Sequence, residues 1–146
     1  MTSNRDAGGA SPEVPPRPRV LLAEDYKALL VALRRLLAPS CDVVGSVGDG
    51  LEVVEAAVRL RPDVVELDVN LPALNGLEAC RRIKAALPRS QVILITAADD
   101  DALRTRAFEL GACAFVLKHR VVDDLGPAIQ DAFRGGDTAA RGGQGA

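Results

Sequence analysis

Short apolar runs alternate with longer amphipathic stretches along most of the chain. RVLLA (19–23), CDVVGSV (41–47), DVVELDV (63–69), QVILITA (91–97) and CAFVLK (113–118) are rich in Val, Ile and Leu and predict strands. Between and after them, Tyr26–Ala38, Gly50–Leu60, Gly76–Leu87, Asp101–Leu110 and roughly Val122–Arg134 carry apolar residues at helical spacing. Strict β-α alternation predicts parallel strands joined by right-handed crossovers, with helices on both faces of one sheet. The near-continuous apolar character of the runs agrees, because central parallel strands are buried on both sides. Asp49-Gly-Leu-Glu52 and Asn75-Gly-Leu-Glu78 each place a capping side chain three residues before a Glu, the spacing of a reciprocal capping box. Their similarity is ordinary βα punctuation and implies no tandem repeat.

The 146 residues fit one domain, and a hydrophobic fraction of 48% is enough for a core. The first eighteen residues carry four prolines with Gly and Ser and little to bury, which predicts a disordered leader over 1–18. The Gly- and Ala-rich end, 135–146, reads as a disordered tail, leaving 19–134 as the folded unit. A net charge of −2, with three Phe, one Tyr and no Trp, gives neither a basic field nor stacking platforms for nucleic acid. Cys41, Cys80 and Cys113 lie far apart without metal or redox spacing and read as reduced, buried thiols of a cytoplasmic protein. No stretch has the character of a signal peptide or the length of a membrane span.

An apolar strand that ends in a carboxylate calls for an explanation. In an open parallel sheet, ligands bind outside the carboxyl ends of the strands, where strand order reverses. Glu24 and Asp25 follow the first strand, Asp68 ends the third, Thr96 the fourth and Lys118 the fifth. Three converging carboxylates repel unless a cation sits between them, and hard oxygen ligands suit Mg²⁺. Lys118 supplies a mobile positive charge and Thr96 a hydroxyl donor, the pair needed to hold anionic oxygens. Together these describe a pocket for a phosphoryl group on Asp68, with Asp68 as nucleophile. Taken singly each residue has a plainer reading: acids at a helix N-terminus, a β-branched strand residue, an exposed lysine. Those plainer readings would have to coincide at four strand ends.

With Glu24-Asp25 in VLLAEDY, Asp68 in VVELDVNLPALNGLEA, Thr96 in VILITA and Lys118 in GACAFVLK, the chain resembles the receiver domain of bacterial two-component response regulators over about residues 19–134. The resemblance implies a flavodoxin-like fold, a doubly wound (βα)5 sheet of strand order 2-1-3-4-5. It implies a phosphorylation switch rather than an enzyme acting on external substrates: Asp68 would accept a phosphoryl group from a sensor histidine kinase with Mg²⁺ as cofactor. Asp25, Asp68 and the backbone carbonyl of Asn70 would be the direct metal ligands, and Glu24 would act through water. Thr96 and Phe115 would form the switch, Phe115 moving inward on activation. The short segment after Arg134 has no helix-turn-helix, so the resemblance implies a stand-alone receiver, monomeric or dimerising on phosphorylation, that signals through a protein partner without touching nucleic acid or membrane.

Several residues depart from that pattern. Glu66 shares a strand face with Asp68, where receivers usually carry an apolar residue, and is expected to be buried and either protonated or paired with a basic group. His119 follows Lys118 where many receivers place a cis-proline; without proline a trans bond is favoured by roughly 2.5–4 kcal/mol. His119 itself, the single histidine, reads as a loop residue. Gly126-Pro127 is expected to delay or kink the last helix. Three alternatives share parts of the pattern. One is the receiver of a shortened DNA-binding regulator. Asp-dependent phosphohydrolases place a second Asp where this chain has Asn70, which cannot titrate. A flavin-binding module of this topology needs a phosphate-cradling first loop, where this chain has Glu-Asp-Tyr.

Overall fold

The computed structural model describes residues 16–135. Five strands, β1 (Arg19–Ala23), β2 (Asp42–Val47), β3 (Val64–Asp68), β4 (Gln91–Thr96) and β5 (Ala114–Leu117), alternate with helices α1 (Lys27–Leu37), α2 (Gly50–Leu60), α3 (Gly76–Ala86), α4 (Asp101–Glu109) and α5 (Val121–Arg134). All neighbouring strands are parallel, in the order β2-β1-β3-β4-β5. This is the doubly wound, flavodoxin-like topology expected from the sequence. Its order reverses between β1 and β3, so the crevice at their carboxyl ends lies between the residues after β1 and the tip of β3.

The two sheet faces carry separate apolar layers. Leu33 and Leu37 of α1 with Leu125 and Ile129 of α5 pack on Val20, Leu22, Val64, Ile93 and Ile95. On the opposite face, Val53 and Ala57 of α2, Ala79 and Ile83 of α3 and Ala107 of α4 pack on Leu21, Val65, Leu67, Val92 and Leu94. Every residue of β3 and β4 is buried, which is why these runs lack polar alternation. Glu66 interrupts that rule. Its ladder neighbours are Leu22 and Ile93, so it lies in the layer under α1 and α5. The three cysteines are free and buried, and burial pushes the thiols of Cys80 and Cys113 up to about 12 and about 11.

Both capping side chains act as expected at their helix starts: Asp49 accepts from the Glu52 amide at 2.8 Å and Asn75 from the Glu78 amide at 3.1 Å. The reciprocal halves differ. Neither Glu is seen on its N-cap amide: Glu52 reaches the amide of Gly48, one residue before the cap, and Glu78 turns away to Arg81 and Arg82. A charged partner one helical turn away outcompetes the N-cap amide.

Two boundary expectations need correction. Arg17 and Pro18 belong to the folded unit: Pro18 is buried, and its carbonyl accepts from the Asp42 amide. The Arg17 guanidinium donates to the carbonyls of Ala38, Pro39 and Cys41 and to Asp42, satisfying groups left over at the C-terminal end of α1. The leader and tail readings over 1–15 and 136–146 lie outside the described residues. The second correction concerns α5, which begins early at Val121, after a 3-10 turn at Lys118–Arg120, and continues through Pro127. Gly126 has no Cβ to clash with the proline ring, and the amide lost at Pro127 would have served Asp123, near the exposed start of the helix. The bond from Lys118 to His119 is trans, and His119 is exposed in the 3-10 turn.

Candidate functional site

Five of the residues singled out in the sequence meet at the carboxyl end of the sheet. Glu24 and Asp25 follow β1, Asp68 ends β3, Thr96 ends β4, and Lys118 follows β5. Glu24, Asp68 and Thr96 are almost fully buried, while Asp25 is exposed at the mouth. Asp68 is fixed from two sides. One oxygen accepts from the Asn70 amide at 2.9 Å, and the other lies 2.6 Å from the Lys118 ammonium. Burial alone would lower the Lys118 pKa, but contact with Asp68 and the charges of Glu24 and Asp25 hold it above its ordinary value. Glu24 accepts from the Tyr26 amide through one oxygen. Its other oxygen is buried without a hydrogen-bond donor, the Lys118 ammonium standing 3.7 Å away.

Glu24, Asp25 and Asp68 each present one oxygen, and the three lie within 4.8 Å of one another. An orphaned, buried carboxylate oxygen facing two further carboxylates is a donor set suited to a hard divalent cation. Burial is the main cause that raises the Glu24 pKa to about 7, opposed by the Tyr26 amide and reinforced by the charge of Asp68. Asn70 contributes its amide to Asp68 and is otherwise exposed. Glu66 sits directly below. It has no exposed surface, neither oxygen has a hydrogen-bond partner, and burial followed by the charges of Glu24 and Asp68 raises its pKa well above the usual carboxylate range. The alternative of a basic partner for Glu66 is not realised.

Thr96 and Phe115 lie on adjacent strands. The Thr96 hydroxyl accepts from the Ala98 amide at 3.1 Å. Phe115 is already buried, with the Arg104 guanidinium 4.7 Å from its ring centroid. In this structure the ring is on the inside.

Residues 20–130 match the family model described as the response regulator receiver domain. The chain belongs to that family. It is 31% identical over 119 residues to the response regulator GacA of Pseudomonas aeruginosa and 33% identical over 119 residues to the transcriptional regulatory protein LiaR of Bacillus subtilis. Each alignment covers 80% of this chain and 56% of the relative, so the chain spans about half the length of these curated relatives. Among solved structures, the signal receiver domain of the response regulator NarL from Mycobacterium tuberculosis superposes with a TM-score of 0.78 at 30% identity, covering 83% of this chain and 99% of that one. The response regulator domain of Thermotoga maritima CheB gives a TM-score of 0.77 at 31% identity, covering 82% and 98%.

The receiver site contains groups that the motifs did not reveal. Gly76 opens α3 so close to β3 that a Cβ there would lie 2.4 Å from the Asp68 carbonyl oxygen and 2.8 Å from Val69 Cα. The sequence shows it only as the residue after an N-cap. Arg104 reaches Phe115 from another element, and no local sequence signal announces that contact. Among the described residues, no helix is long and apolar enough to cross a membrane.

Proposed function

We propose that this receiver domain accepts a phosphoryl group on Asp68 in a Mg²⁺-dependent reaction and passes the change to a protein partner. The observation that carries this reading is the two-sided fixing of Asp68, by the Asn70 amide and the Lys118 ammonium, beside the buried, orphaned oxygen of Glu24. A carboxylate oxygen of Asp68 attacks phosphorus, the bond from phosphorus to the donor's leaving atom breaks, and its electron pair leaves with the donor. Lys118, held protonated, meets the oxygens of the arriving group. Glu24, Asp25, Asp68 and the Asn70 carbonyl would hold Mg²⁺, which would offset negative charge gathering at the site. Thr96 supplies a hydroxyl for one phosphoryl oxygen and, with Phe115, forms the switch. The donor is a sensor histidine kinase, the protein works in the cytoplasm, and its only chemistry is formation and loss of its own aspartyl phosphate. It acts as a monomer or as a phosphorylation-dependent homodimer.

Acetyl phosphate with Mg²⁺ tests this reading by intact-mass measurement. One acid-stable, base-labile phosphoryl group is expected, lost with Asp68→Asn and slowed by Lys118→Ala. Modification that persists in Asp68→Asn, or that proceeds equally in excess chelator, overturns it. A phosphotransfer profile against purified histidine kinases then identifies the donor.

A further inference from the structure

A cavity of about 480 Å³ opens at the amino-terminal edge of β3 and β4, the end of the sheet opposite Asp68. Three segments enclose it: the turn between α2 and β3, the turn between α3 and β4, and the last turn of α5. Pro62, Leu87 and Phe133 give it an apolar wall, and Arg61, Arg89 and Asp63 border it with charge. A volume of this size lies within the range of small-molecule sites, about 300–1,000 Å³.

The charges are unequally committed. One Asp63 oxygen accepts from the Arg19 backbone amide, at 2.8 Å. Arg61 and Arg89 are both exposed, and among the described residues neither guanidinium makes an ion pair or hydrogen bond. Arg61 is held through its backbone alone: its amide donates to the Ala57 carbonyl and its carbonyl accepts from Arg19. Arg61 is the left-handed cap of α2, with φ of 48°, so its place at the rim is set by the helix end. The walls are fixed as well: the Ser90 hydroxyl donates to the Pro62 carbonyl at 2.7 Å, and the Lys84 ammonium donates to the carbonyls of Pro88 and Ser90. Two uncommitted guanidinium forks against a single aspartate favour an anion with planar acceptor geometry. The apolar wall favours a ligand that brings a hydrophobic body with it.

We propose that this cavity is a second binding site of the receiver, separate from the Asp68 pocket, for a small monoanion built from an aryl or branched alkyl group and one carboxylate. Such a ligand touches the turns after α2 and α3 and the last turn of α5.

Titration of the full chain with phenylacetate, followed by ¹⁵N–¹H correlation spectra in the absence of divalent metal, tests the site. Saturating shifts are expected at Asp63, Leu87, Arg89 and Phe133, with none at Asp25, Asp68 or Lys118, and a dissociation constant on the order of 1 mM or below. Neutral phenylacetamide should bind about tenfold more weakly, as should the double variant Arg61→Ala/Arg89→Ala, because each loses the charge-assisted contact. Arg89→Glu, a single exposed change, should weaken phenylacetate to a similar degree if the double variant folds poorly. All variants that fold should accept phosphate from acetyl phosphate at the wild-type rate. Shifts that do not saturate, shifts confined to the Asp68 end, equal binding of the neutral amide, or unchanged affinity in Arg89→Glu would each overturn the proposal.

Discussion

Replacing Glu66 by Leu is expected to stabilise the domain, and the gain should grow with pH. The wild-type side chain has no exposed surface, lies between Leu22 and Ile93 in the ladder, and has no hydrogen-bond partner for either oxygen. Even as a neutral acid, a buried polar group left unsatisfied costs about 1–3 kcal/mol. Leu removes that cost and suits a layer already made of Leu and Ile. The pH dependence follows from the raised native pKa. The unfolded carboxyl titrates near 4.5, and burial lifts the native value well above that. Between those two values the native state holds a proton that the unfolded state has lost. Wild-type stability therefore falls as pH rises, by up to about 1.4 kcal/mol per unit, and levels off above the native pKa. Below the unfolded value this penalty vanishes and only the hydrogen-bonding deficit remains. Glu66→Gln separates the two contributions, since it keeps a buried polar group and abolishes the titration. Urea unfolding of the three proteins in chelator between about pH 5 and pH 8 reads both. With a urea dependence of about 1–3 kcal/mol per molar, a 2 kcal/mol gain shifts the midpoint by about 1 M. A less stable Glu66→Leu, or a gap to wild type that stays constant across this range, refutes the reasoning.

Gly76→Ala should lose about 1–3 kcal/mol of stability and slow acetyl-phosphate modification, because its Cβ would overlap the Asp68 carbonyl; urea midpoints and intact-mass time courses read the two effects. Arg17→Ala should cost about 1 kcal/mol, since it uncovers three carbonyls at the end of α1 but at a half-exposed site, and hydrogen exchange at Leu36 and Leu37 should rise with it. Mg²⁺ affinity should increase as pH rises through about 7, because the proton on Glu24 competes with the cation; titration calorimetry in two buffers of different ionisation enthalpy should detect proton release. An affinity unchanged across that range would remove Glu24 from the metal site.

Strand and helix placement and the five residues at the carboxyl end were legible because they depend on periodicity and on strand ends, both of which are local in sequence, whereas the strand order came only through the family resemblance. Strands β3 and β4 are covered on both faces and, apart from Glu66 and the opening Gln91, apolar up to the tip, where Asp68 and Thr96 stand out. What could not be read depends on the approach of separate elements. The position of Arg104 over Phe115 requires the tilt of α4 against β5, and the closeness of Gly76 to Asp68 requires the path of the intervening loop. Pro127 misled for a related reason: part of the steric clash that disfavours helix before proline comes from the Cβ of the preceding residue, and Gly126 has none. The fold boundary at Arg17 was hidden because a guanidinium surrounded by prolines looks like leader until the carbonyls of Ala38, Pro39 and Cys41 are placed beside it.

The contacts around Thr96 restrict how a change at Asp68 can leave the site. Asp68 and Lys118 are already in contact at 2.6 Å, so a group arriving between them displaces Lys118 before anything else moves. The Thr96 hydroxyl accepts from the Ala98 amide and keeps its own proton to donate to a phosphoryl oxygen, a charge-assisted bond of roughly twice the strength of a neutral one. Ala98 is followed by Asp99, which lies 3.6 Å from Arg104, and Arg104 covers the ring of Phe115. A shift of Thr96 toward the phosphoryl oxygen would draw on the Ala98 amide, and so on the segment that positions Arg104. On the proposed phosphorylation of Asp68, the β4–α4 segment and Arg104 are expected to move together with Thr96, against the ring of Phe115.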